Sequence, residues 1–317
     1  MKIVILDSST LGEDVSLEKI SSLGDCTIYK NTSREELSER IKDAEVVVLN
    51  KIKLNSEILS HAKKLKLICV AATGYDNIDL DFCRKNGIAL CNVVGYSSHS
   101  VAQLSAAMVL SLSVNLSQFT DFVKSGEYSV SGVANKLTPV YHELFGKTWG
   151  IVGYGNIGKE VAKVANALGC SVLYNKNTKT DDPSCVSLEE LCEKSDIISV
   201  HTPLNESTRG MINEKMISLM KKNVILVNTA RGAVTDEDAV ARAVKEQRIA
   251  GFGTDVYSAE PFSEDHPFYS IKDFPNVCMT PHMAWGSYEA RCRCIEEIAE
   301  NVKSFFSGEI RNRLDII

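Results

Sequence analysis

Short apolar runs alternate with amphipathic helical patterns along almost the whole chain. This alternation is typical of strands and helices that follow one another in turn. The runs of the first third predict strands at residues 3–6, 27–29, 46–49, 67–70 and 88–91. Helical patterns at 17–23, 35–42 and 80–86 separate them. Ser33 and Glu36 predict a capping box at the start of the second of these helices, and Asp79 and Gly87 are typical of the two ends of the third.

A second series of apolar runs predicts strands at residues 149–152, 172–174, 197–200, 224–227, 249–252 and 277–279. Strands that alternate with helices form parallel sheets covered on both faces, so the expected fold class is α/β with two doubly wound parallel-sheet domains. The last helical pattern, 289–306, follows the final strand and is expected to return to the first domain. The predicted domains are therefore a discontinuous one, residues 1–98 and 289–317, and a continuous one, residues 99–288.

The most apolar stretch, residues 101–116, predicts a buried helix rather than a membrane span. Polar residues interrupt it, and it is shorter than the roughly 20 residues that a bilayer requires. The chain starts with a strand pattern and not with a charged leader followed by an apolar segment. We therefore expect a cytoplasmic protein without a membrane partner.

Charge and cysteine content narrow the choice of partners. The formal net charge of −6 leaves no basic excess to neutralise phosphates, which argues against a nucleic-acid partner. The ten cysteines contain no CxxC pair. We therefore expect free thiols in a reducing compartment, and no metal site.

The sequence Gly153-Tyr154-Gly155-Asn156-Ile157-Gly158 matches the GxGxxG pattern of dinucleotide-binding turns. A strand pattern precedes it and an amphipathic helix pattern follows it, which is the context that the motif requires. Gly153 would make the tight turn, Gly155 would let the backbone approach a pyrophosphate, and Gly158 would allow close contact between helix and strand. The N–H groups of the helix N-terminus would bind the phosphates. The alternative is a glycine-rich turn that binds no ligand.

An acid usually follows such a turn by about 20 residues and binds the ribose hydroxyls of NAD. Asn175, Lys176 and Asn177 occupy this place, and Thr178 and Lys179 come next. Ammonium and amide groups would attract the 2′-phosphate that a carboxylate repels. The sequence therefore favours NADPH within a general use of NAD(P)H. The alternative is a solvated basic loop that leaves the ribose to other contacts.

Three polar residues follow three consecutive strand patterns in the last third of the chain. Arg231, Glu260 and His282 come after the apolar runs 224–227, 249–252 and 277–279, respectively. Because ligands bind at the carboxyl ends of parallel strands, we expect these side chains to converge. An imidazolium supplies a proton, a carboxylate orients its ring, and a guanidinium binds a carboxylate and polarises a carbonyl. Taken singly, each residue has an ordinary alternative as a surface arginine, a turn glutamate or a core histidine.

Five motifs together resemble the D-isomer-specific 2-hydroxyacid dehydrogenases over essentially the whole chain. They are GYGNIG at 153–158, HTPL at 201–204, NTARG at 228–232, DVxxxEP at 255–261 and TPHMAW at 280–285. The resemblance implies a Rossmann coenzyme domain, a flavodoxin-like substrate domain and a homodimer. It also implies that Arg231 binds the substrate carboxylate and carbonyl, that Glu260 is the partner of His282, and that His282 is the acid/base.

The same resemblance implies further contacts in both domains. The implied cofactor contacts are Val101, His201, Thr202, Pro203, Thr229, Ala230 and Asp255, the last of them to the nicotinamide amide. The implied substrate contacts are Lys51, Thr73, Gly74, Tyr75, Arg231, His282 and Trp285. The turn-rich loop 73–77 supports an anion site independently, because successive N–H groups in such a loop form a nest.

Three details resemble the glycerate dehydrogenase / hydroxypyruvate reductase branch of the family: Asn50-Lys51, the segment 95–103, and Trp285. The expected activity is hydride transfer between NAD(P)H and a small 2-oxo acid, with hydroxypyruvate/D-glycerate as the main pair and glyoxylate as a secondary substrate. A D-lactate or other 2-ketoacid reductase is the alternative within the family. A dinucleotide-sensing, corepressor-like binding protein is the alternative from another class. His99 receives no role.

Overall fold

The computed structural model describes residues 1–178 and 180–316, so Lys179 of the basic stretch lies outside the described residues. The chain forms two compact units. Unit 1 comprises Met1–Ser97 and Trp285–Ile317, and unit 2 comprises Ser98–Ala284. The sequence places the second boundary later, at 288/289. The structure places it earlier because Trp285 already packs within unit 1, with its ring centroid 6.4 Å from that of Tyr96.

The described residues form eleven strands and twelve α-helices. The strands are β1 Lys2–Ile5, β2 Asp25–Ile28, β3 Val46–Leu49, β4 Leu67–Val70, β5 Ala89–Cys91, β6 Thr148–Val152, β7 Ser171–Asn175, β8 Ile197–Val200, β9 Ile225–Asn228, β10 Gly251–Thr254 and β11 Val277–Met279. The helices are α1 Glu18–Ser21, α2 Arg34–Ile41, α3 Ser56–Leu59, α4 Leu80–Asn86, α5 Ser98–Ser113, α6 Leu116–Lys124, α7 Glu127–Val130, α8 Asn156–Ala167, α9 Leu188–Lys194, α10 Glu214–Leu219, α11 Glu237–Lys245 and α12 Tyr288–Ser307.

Local sequence explains the ends of several helices. Ser33 and Glu36 form the capping box predicted for α2. The Asp79 side chain accepts a hydrogen bond from the Phe82 N–H at the start of α4, and Gly87 ends that helix with φ of +67°. These contacts satisfy N–H groups that have no partner inside the helix.

The five strands of unit 1 pair in parallel, with the strand order β2-β1-β3-β4-β5, and an isolated antiparallel bridge joins Cys91 of β5 to Arg313. This is the flavodoxin-like order, and it confirms the predicted class for this half of the chain. Core clusters cover the sheet on both faces. The buried Ala290, Cys294 and Ile298 bring α12 into one of these clusters, so the last helix belongs to unit 1.

The sheet of unit 2 is also parallel, with the strand order β11-β10-β9-β8-β6-β7. An isolated parallel bridge between Tyr174 and Cys185 adds one extended segment outside β7. With that segment, the order is the Rossmann order extended by one strand. The order reverses between β6 and β8, which is where such sheets bind their ligands.

The prediction of one helix over 101–116 is wrong at its end. The helix α5 stops at Ser113, because Asn115 adopts the left-handed conformation, with φ of +50°, before α6 begins. Met108 and Val109 bury α5 in the core of unit 2. Within residues 1–178 and 180–316, no single helix is long and apolar enough to cross a membrane, and α5 and α6 reach that length and composition only as a pair bent by 66°.

Candidate active site

The glycine turn lies between β6 and α8, where the strand order of the second sheet reverses. Gly153 has φ of +94°, and a Cβ added to it would lie 2.7 Å from the carbonyl carbon of His201. A Cβ added to Gly158 would overlap the carbonyl oxygen of Gly153. Both positions therefore require glycine, as the motif predicts.

Gly155 differs from the other two glycines, because a Cβ added to it would meet no atom of the described residues within 4 Å. Open space thus lies in front of the N-terminus of α8, a helix of 12 residues. The first turn of α8 carries no acid, and the first N–H groups of a helix point out of its N-terminus. The turn therefore fits a pyrophosphate, which the N–H groups of Asn156, Ile157 and Gly158 would hold.

The strand β7 ends beside the glycine turn. The carbonyl of Asn175, its last residue, accepts a hydrogen bond from the Gly153 N–H at 2.9 Å. The Asn175 side chain donates to the carbonyl of Val186 at 2.9 Å and so ties the segment outside β7 to the sheet. Lys176 and Asn177 follow directly. The structure thus places the predicted ribose region next to the predicted phosphate region.

Two tyrosines and an aspartate lie close to this basic stretch. Tyr154 stacks on Tyr174 with ring centroids 3.8 Å apart, and Lys176 Nζ lies 5.7 Å from the Tyr174 centroid. The Tyr174 hydroxyl donates to Asp182 Oδ2 at 2.8 Å, and burial together with that contact raises the pKa of Tyr174 to about 12. The hydrogen bond from the Ser184 N–H is the main cause that lowers the pKa of Asp182. A carboxylate therefore lies near the basic stretch, although none follows β7 directly.

A chain of hydrogen bonds links α5 to the strand ends of unit 2. Ser105 Oγ donates to the Val101 carbonyl at 2.8 Å and lies 3.0 Å from Thr229 Oγ1, which lies 3.3 Å from His201 Nδ1. Because Ser105 donates its proton to Val101, Thr229 donates to Ser105 and accepts from His201. His201 therefore carries its proton on Nδ1. Its Nε2 is buried and has no hydrogen-bond partner among the described residues, so it fits a donor group of a bound ligand, such as a sugar hydroxyl.

His201 gives a testable pH dependence of stability. Burial lowers the pKa of His201 to about 3, whereas an exposed histidine has a pKa of about 6.5. Between these pH values the unfolded chain binds a proton at this residue and the folded chain does not, so the free energy of unfolding decreases as the pH falls. From pH 7 to pH 5 we expect His201 to account for a loss of up to about 2 kcal/mol. Urea denaturation at both pH values gives the free energy of unfolding of the wild type and of His201→Gln. The contribution of His201 is the difference between the losses that the two proteins show from pH 7 to pH 5.

His61→Gln is the matched control for this measurement, because His61 lies exposed in unit 1. This variant should keep the full pH dependence of the wild type. Equal losses of stability in the wild type and in His201→Gln would contradict a neutral His201 with a buried Nε2.

The other predicted cofactor residues also follow strands of unit 2. The N–H nitrogen of Thr202 lies 2.7 Å from the Cβ position of Gly153. The carbonyl of Pro203 accepts the Thr208 hydroxyl at 2.6 Å. The Ala230 N–H donates to Asn228 Oδ1 at 3.0 Å. These residues follow the neighbouring strands β8 and β9, and their contact with a cofactor stays a prediction.

Glu260 and His282 form a direct pair. His282 Nδ1 lies 2.5 Å from Glu260 Oε2, and Glu260 Oε1 accepts the Tyr257 N–H at 3.0 Å. The Tyr257 hydroxyl donates to the Thr280 carbonyl at 2.9 Å and so ties the Glu260 loop to the His282 turn. The side chains of His282 and Glu260 are 22% and 34% exposed, which leaves the pair accessible to a small molecule.

The backbone of His282 has φ of +52°, in the left-handed region that residues with a side chain rarely adopt. Asp255, which is 1% exposed, holds this turn. It accepts the Thr280 hydroxyl at 2.5 Å and the N–H groups of Met283 and Ala284 at 2.8 Å each. Burial raises the pKa of Asp255, and these three hydrogen bonds counteract that effect. Asp255 thus fixes the turn of His282, a role that the sequence does not predict, and its contact with the nicotinamide amide stays a prediction.

Arg231 follows β9 and precedes the short 3-10 helix Gly232–Val234. A Cβ added to Gly232 would overlap the carbonyl carbon of Tyr257 and the N–H nitrogen of Ser258. Only glycine fits at this contact, so the turn of Arg231 lies directly against the loop of Glu260. The Arg231 Nη1 donates to the Ala230 carbonyl at 2.8 Å, which orients the guanidinium.

Unit 1 carries the residues that the sequence assigns to substrate binding. Lys51 follows β3; its N–H donates to Asp7 Oδ2 at 2.7 Å, and its Nζ lies 5.7 Å from the Trp285 ring centroid. Thr73 follows β4, and its hydroxyl donates to the Val93 carbonyl at 2.9 Å. Gly74 and Tyr75 continue this loop. Their contacts with a substrate stay predictions.

Asp7 anchors the loop after β3. Its carboxylate accepts the N–H groups of Asn50 and Lys51 at 2.9 and 2.7 Å. Burial raises the pKa of Asp7, and the backbone hydrogen bonds counteract that effect. The loop that carries Lys51 is therefore held by a carboxylate on the neighbouring strand end.

Sequence reasoning missed two buried polar residues beside the Glu260 loop. Glu237 accepts the Ser258 N–H at 2.8 Å and lies 2.9 Å from His266 Nε2. The residues are distant in sequence, and each has an ordinary explanation, one as an acid in the first turn of a helix and the other as the residue before a proline. Only the fold brings them together.

His99, which receives no role from the sequence, lies on the surface of unit 2. Its Nδ1 lies 3.3 Å from Glu160 Oε2, so that it pairs α5 with α8, a contact of small energetic weight. Within residues 1–178 and 180–316, no group of three or more His, Cys, Asp or Glu side chains is arranged to hold a metal ion.

Comparison with known proteins identifies the family. The model for the NAD-binding domain of the D-isomer-specific 2-hydroxyacid dehydrogenases matches residues 106–284. The chain belongs to this family. It is 34% identical over 317 residues to a hydroxypyruvate reductase of Blautia hydrogenotrophica, a match that covers 97% of this chain and 98% of that protein.

Two solved structures show the same two-domain fold. A D-lactate dehydrogenase from Aquifex aeolicus complexed with NAD and lactic acid is 33% identical, with a TM-score of 0.86 over 98% of this chain and 96% of that chain. An acyclic imino acid reductase in complex with NADPH and D-Arg is 30% identical, with a TM-score of 0.87 over 99% of this chain and 100% of that chain. This 2-hydroxyacid dehydrogenase is thus an oxidoreductase with a nicotinamide cofactor, as its sequence predicts.

Proposed function

We propose that this dehydrogenase reduces hydroxypyruvate to D-glycerate in preference to other small 2-oxo acids, with glyoxylate as a secondary substrate. The observation that carries the proposal is the pair of His282 Nδ1 and Glu260 Oε2, 2.5 Å apart at the end of β11. An imidazole held by a carboxylate is suited to proton transfer at neutral pH. The similarity to a hydroxypyruvate reductase supports the choice of substrate.

Each residue of the trio has a distinct task in this proposal. When bound, the reduced nicotinamide supplies the hydride that reaches C2 of the oxo acid. His282 donates a proton from Nε2 to the carbonyl oxygen, and Glu260 at Nδ1 stabilises the imidazolium and fixes the ring. Arg231 binds the substrate carboxylate and polarises the carbonyl. Asp255 keeps the turn of His282 in its left-handed conformation.

A panel of oxo acids tests the substrate assignment. Initial rates with hydroxypyruvate, glyoxylate and pyruvate are measured with NADH and with NADPH. The proposal expects the highest kcat/KM with hydroxypyruvate and the next with glyoxylate. A higher kcat/KM with pyruvate would instead make the protein a D-lactate-type reductase. Cofactor binding without turnover of any oxo acid would favour the dinucleotide-sensing alternative.

NADPH is the preferred cofactor in this proposal. The support is the absence of an acid directly after β7 in the sequence, together with the ammonium group of Lys176 near Tyr174. Asp182 acts against it, because its carboxylate lies on the same loop. The hydrogen bonds from Ser184 and Tyr174 lower the pKa of Asp182, and the charge of Lys176 adds to that effect, so Asp182 remains a competing negative charge. The net attraction for a 2′-phosphate therefore rests mainly on Lys176 among the described residues.

Lys176→Ala tests the cofactor preference. We expect kcat/KM for NADPH to fall about tenfold, the loss of one charge-assisted contact, while kcat/KM for NADH stays within about twofold. Lys194→Ala, a surface lysine of α9 paired with Glu190, is the matched control and should change neither value. A strong preference for NADH that survives Lys176→Ala would refute the assignment.

The proposed assembly is a homodimer, and exposed apolar side chains of unit 2 support it. The stretch after α5 exposes large apolar side chains, among them Val130 at 84%, Leu137 at 76% and Phe145 at 78%. The helix α5 buries Met108 and Val109 in the core of unit 2, whereas its Leu110 is 40% exposed and adds to this apolar surface. A second copy of the chain would cover the exposed stretch. Sedimentation equilibrium should give twice the chain mass of 34.8 kDa, and a mass of one chain would exclude this assembly.

A further inference from the structure

A second carboxylate–imidazole pair lies beside the Glu260 loop. Glu237 opens α11, and its Oε2 lies 2.9 Å from His266 Nε2. The two side chains are 8% and 6% exposed, so the pair is almost fully buried, unlike the pair of Glu260 and His282. A buried carboxylate is costly unless hydrogen bonds satisfy it. The hydrogen-bond donors to Glu237 therefore indicate which part of the structure its carboxylate holds.

Three donors bind the Glu237 carboxylate. Oε1 accepts the Ser258 N–H at 2.8 Å, and Oε2 accepts both the Ser258 hydroxyl and His266. His266 Nδ1 accepts the Phe268 N–H at 3.2 Å, so the imidazole carries its proton on Nε2 and donates it to Glu237. Every hydrogen bond of the pair is thus accounted for, and two of the three to Glu237 come from Ser258.

Ser258 links this pair to the proposed active site. It follows Tyr257, whose N–H donates to Glu260 Oε1 at 3.0 Å. On its other side the backbone of Tyr257 and Ser258 meets Gly232 so closely that no Cβ fits. The loop is therefore held between Gly232 and Glu237, and the position of the Tyr257 N–H fixes one oxygen of Glu260.

We propose that Glu237, itself oriented by His266, is a positioning residue that sets the Glu260 loop and thereby the contact of Glu260 with His282. The proposal rests on the proposed function of Glu260 and His282. Groups that orient a reacting pair through one intermediate typically change rates by about 10- to 100-fold when they are removed. A purely local role at the N-terminus of α11 is the competing explanation, because acids in a first helical turn stabilise the helix.

Glu237→Gln separates the two explanations, with Asp238→Asn as its matched control. Asp238 is the next residue in the same first turn, and it is exposed. Both substitutions remove one negative charge from the same helical turn, so an effect on the helix alone would be similar in the two variants. In Glu237→Gln, however, one carboxylate oxygen also becomes an NH₂ group that faces donors.

The first test measures kcat and KM of these variants with hydroxypyruvate. We expect Glu237→Gln to lower kcat about tenfold or more, with the KM for the cofactor within about twofold, and Asp238→Asn to match the wild type. In a Glu260→Gln background, Glu237→Gln should cause at most a twofold further loss, because it acts through Glu260. The same fold loss in both backgrounds, or a wild-type kcat in Glu237→Gln, would overturn the proposal.

His266→Asn is a second variant, which tests the role of His266 while preserving an acceptor for the Phe268 N–H. Its side-chain oxygen can accept the Phe268 N–H in place of Nδ1, but it cannot donate to Glu237. We expect kcat to fall several-fold, as in Glu237→Gln, and cofactor binding to be retained. An unchanged kcat would remove His266 from the proposal.

Hydrogen exchange of the Ser258 amide tests the positioning without any activity. The amide should exchange faster in Glu237→Gln than in the wild type and in Asp238→Asn. Faster exchange in a protein that reduces no oxo acid would refute the proposed function and leave the positioning intact. Unchanged exchange in an active enzyme would refute the positioning and leave the function intact.

Discussion

Replacing His282 with Gln is expected to lower kcat for hydroxypyruvate reduction by about 10³-fold, because the variant has no group that can donate the proton. The affinity for the cofactor should stay within about twofold of the wild-type value. The glycine turn joins β6 to α8, whereas His282 follows β11. Steady-state rates and fluorescence titration with the reduced cofactor measure the two quantities. His282→Gln should therefore lose turnover without losing cofactor binding.

His99→Gln is the control for this variant, since His99 forms a surface contact with Glu160. It should turn over hydroxypyruvate at the wild-type rate. A His282→Gln variant that retains near-normal kcat would remove His282 from the chemistry, whatever its contact with Glu260.

Replacing Arg231 with Gln should lower kcat/KM for hydroxypyruvate by about 10²- to 10³-fold, the usual cost of removing one preorganised donor at a reacting carbonyl. KM should rise because the guanidinium binds the substrate carboxylate, and kcat should fall because it also polarises the carbonyl. Arg231→Lys should recover only part of the loss, because an ammonium group lacks the planar pair of donors. Steady-state kinetics of the three proteins measures these effects.

Arg242→Gln provides the comparison for Arg231, because Arg242 lies exposed on α11 and pairs with Glu214. Its kcat/KM should equal that of the wild type. If Arg231→Gln also equals the wild type, the substrate carboxylate is bound elsewhere and the assignment of Arg231 fails.

Much of the fold follows from the pattern of apolar positions. The strands β3, β4, β8 and β11 have the bounds that the apolar runs predict, and the other predicted strands shift by one or two residues. Strands that are covered on both faces form near-continuous apolar runs, and the sequence shows such runs between the helical patterns. The glycine turn is equally predictable, because Gly153 and Gly158 occupy positions that only glycine fits.

The rest depends on contacts between distant parts of the chain, which spacing does not encode. Asp255 binds N–H groups of the turn after β11, and Glu237 binds the backbone of Ser258. In each case a carboxylate accepts hydrogen bonds from groups that lie close to it only in the folded chain. The sequence therefore predicts which side chains follow the strands, but not which residues hold them in place.

The most direct test of the account is the product of one reaction. The wild-type protein is incubated with hydroxypyruvate and, in separate reactions, with NADPH or NADH. The consumed cofactor is compared with the D- and L-glycerate formed, each determined by chiral chromatography. The account predicts one D-glycerate for each NADPH oxidised, and no product with His282→Gln on the same time scale. L-glycerate as the product, or no oxidation of either reduced cofactor, would contradict it.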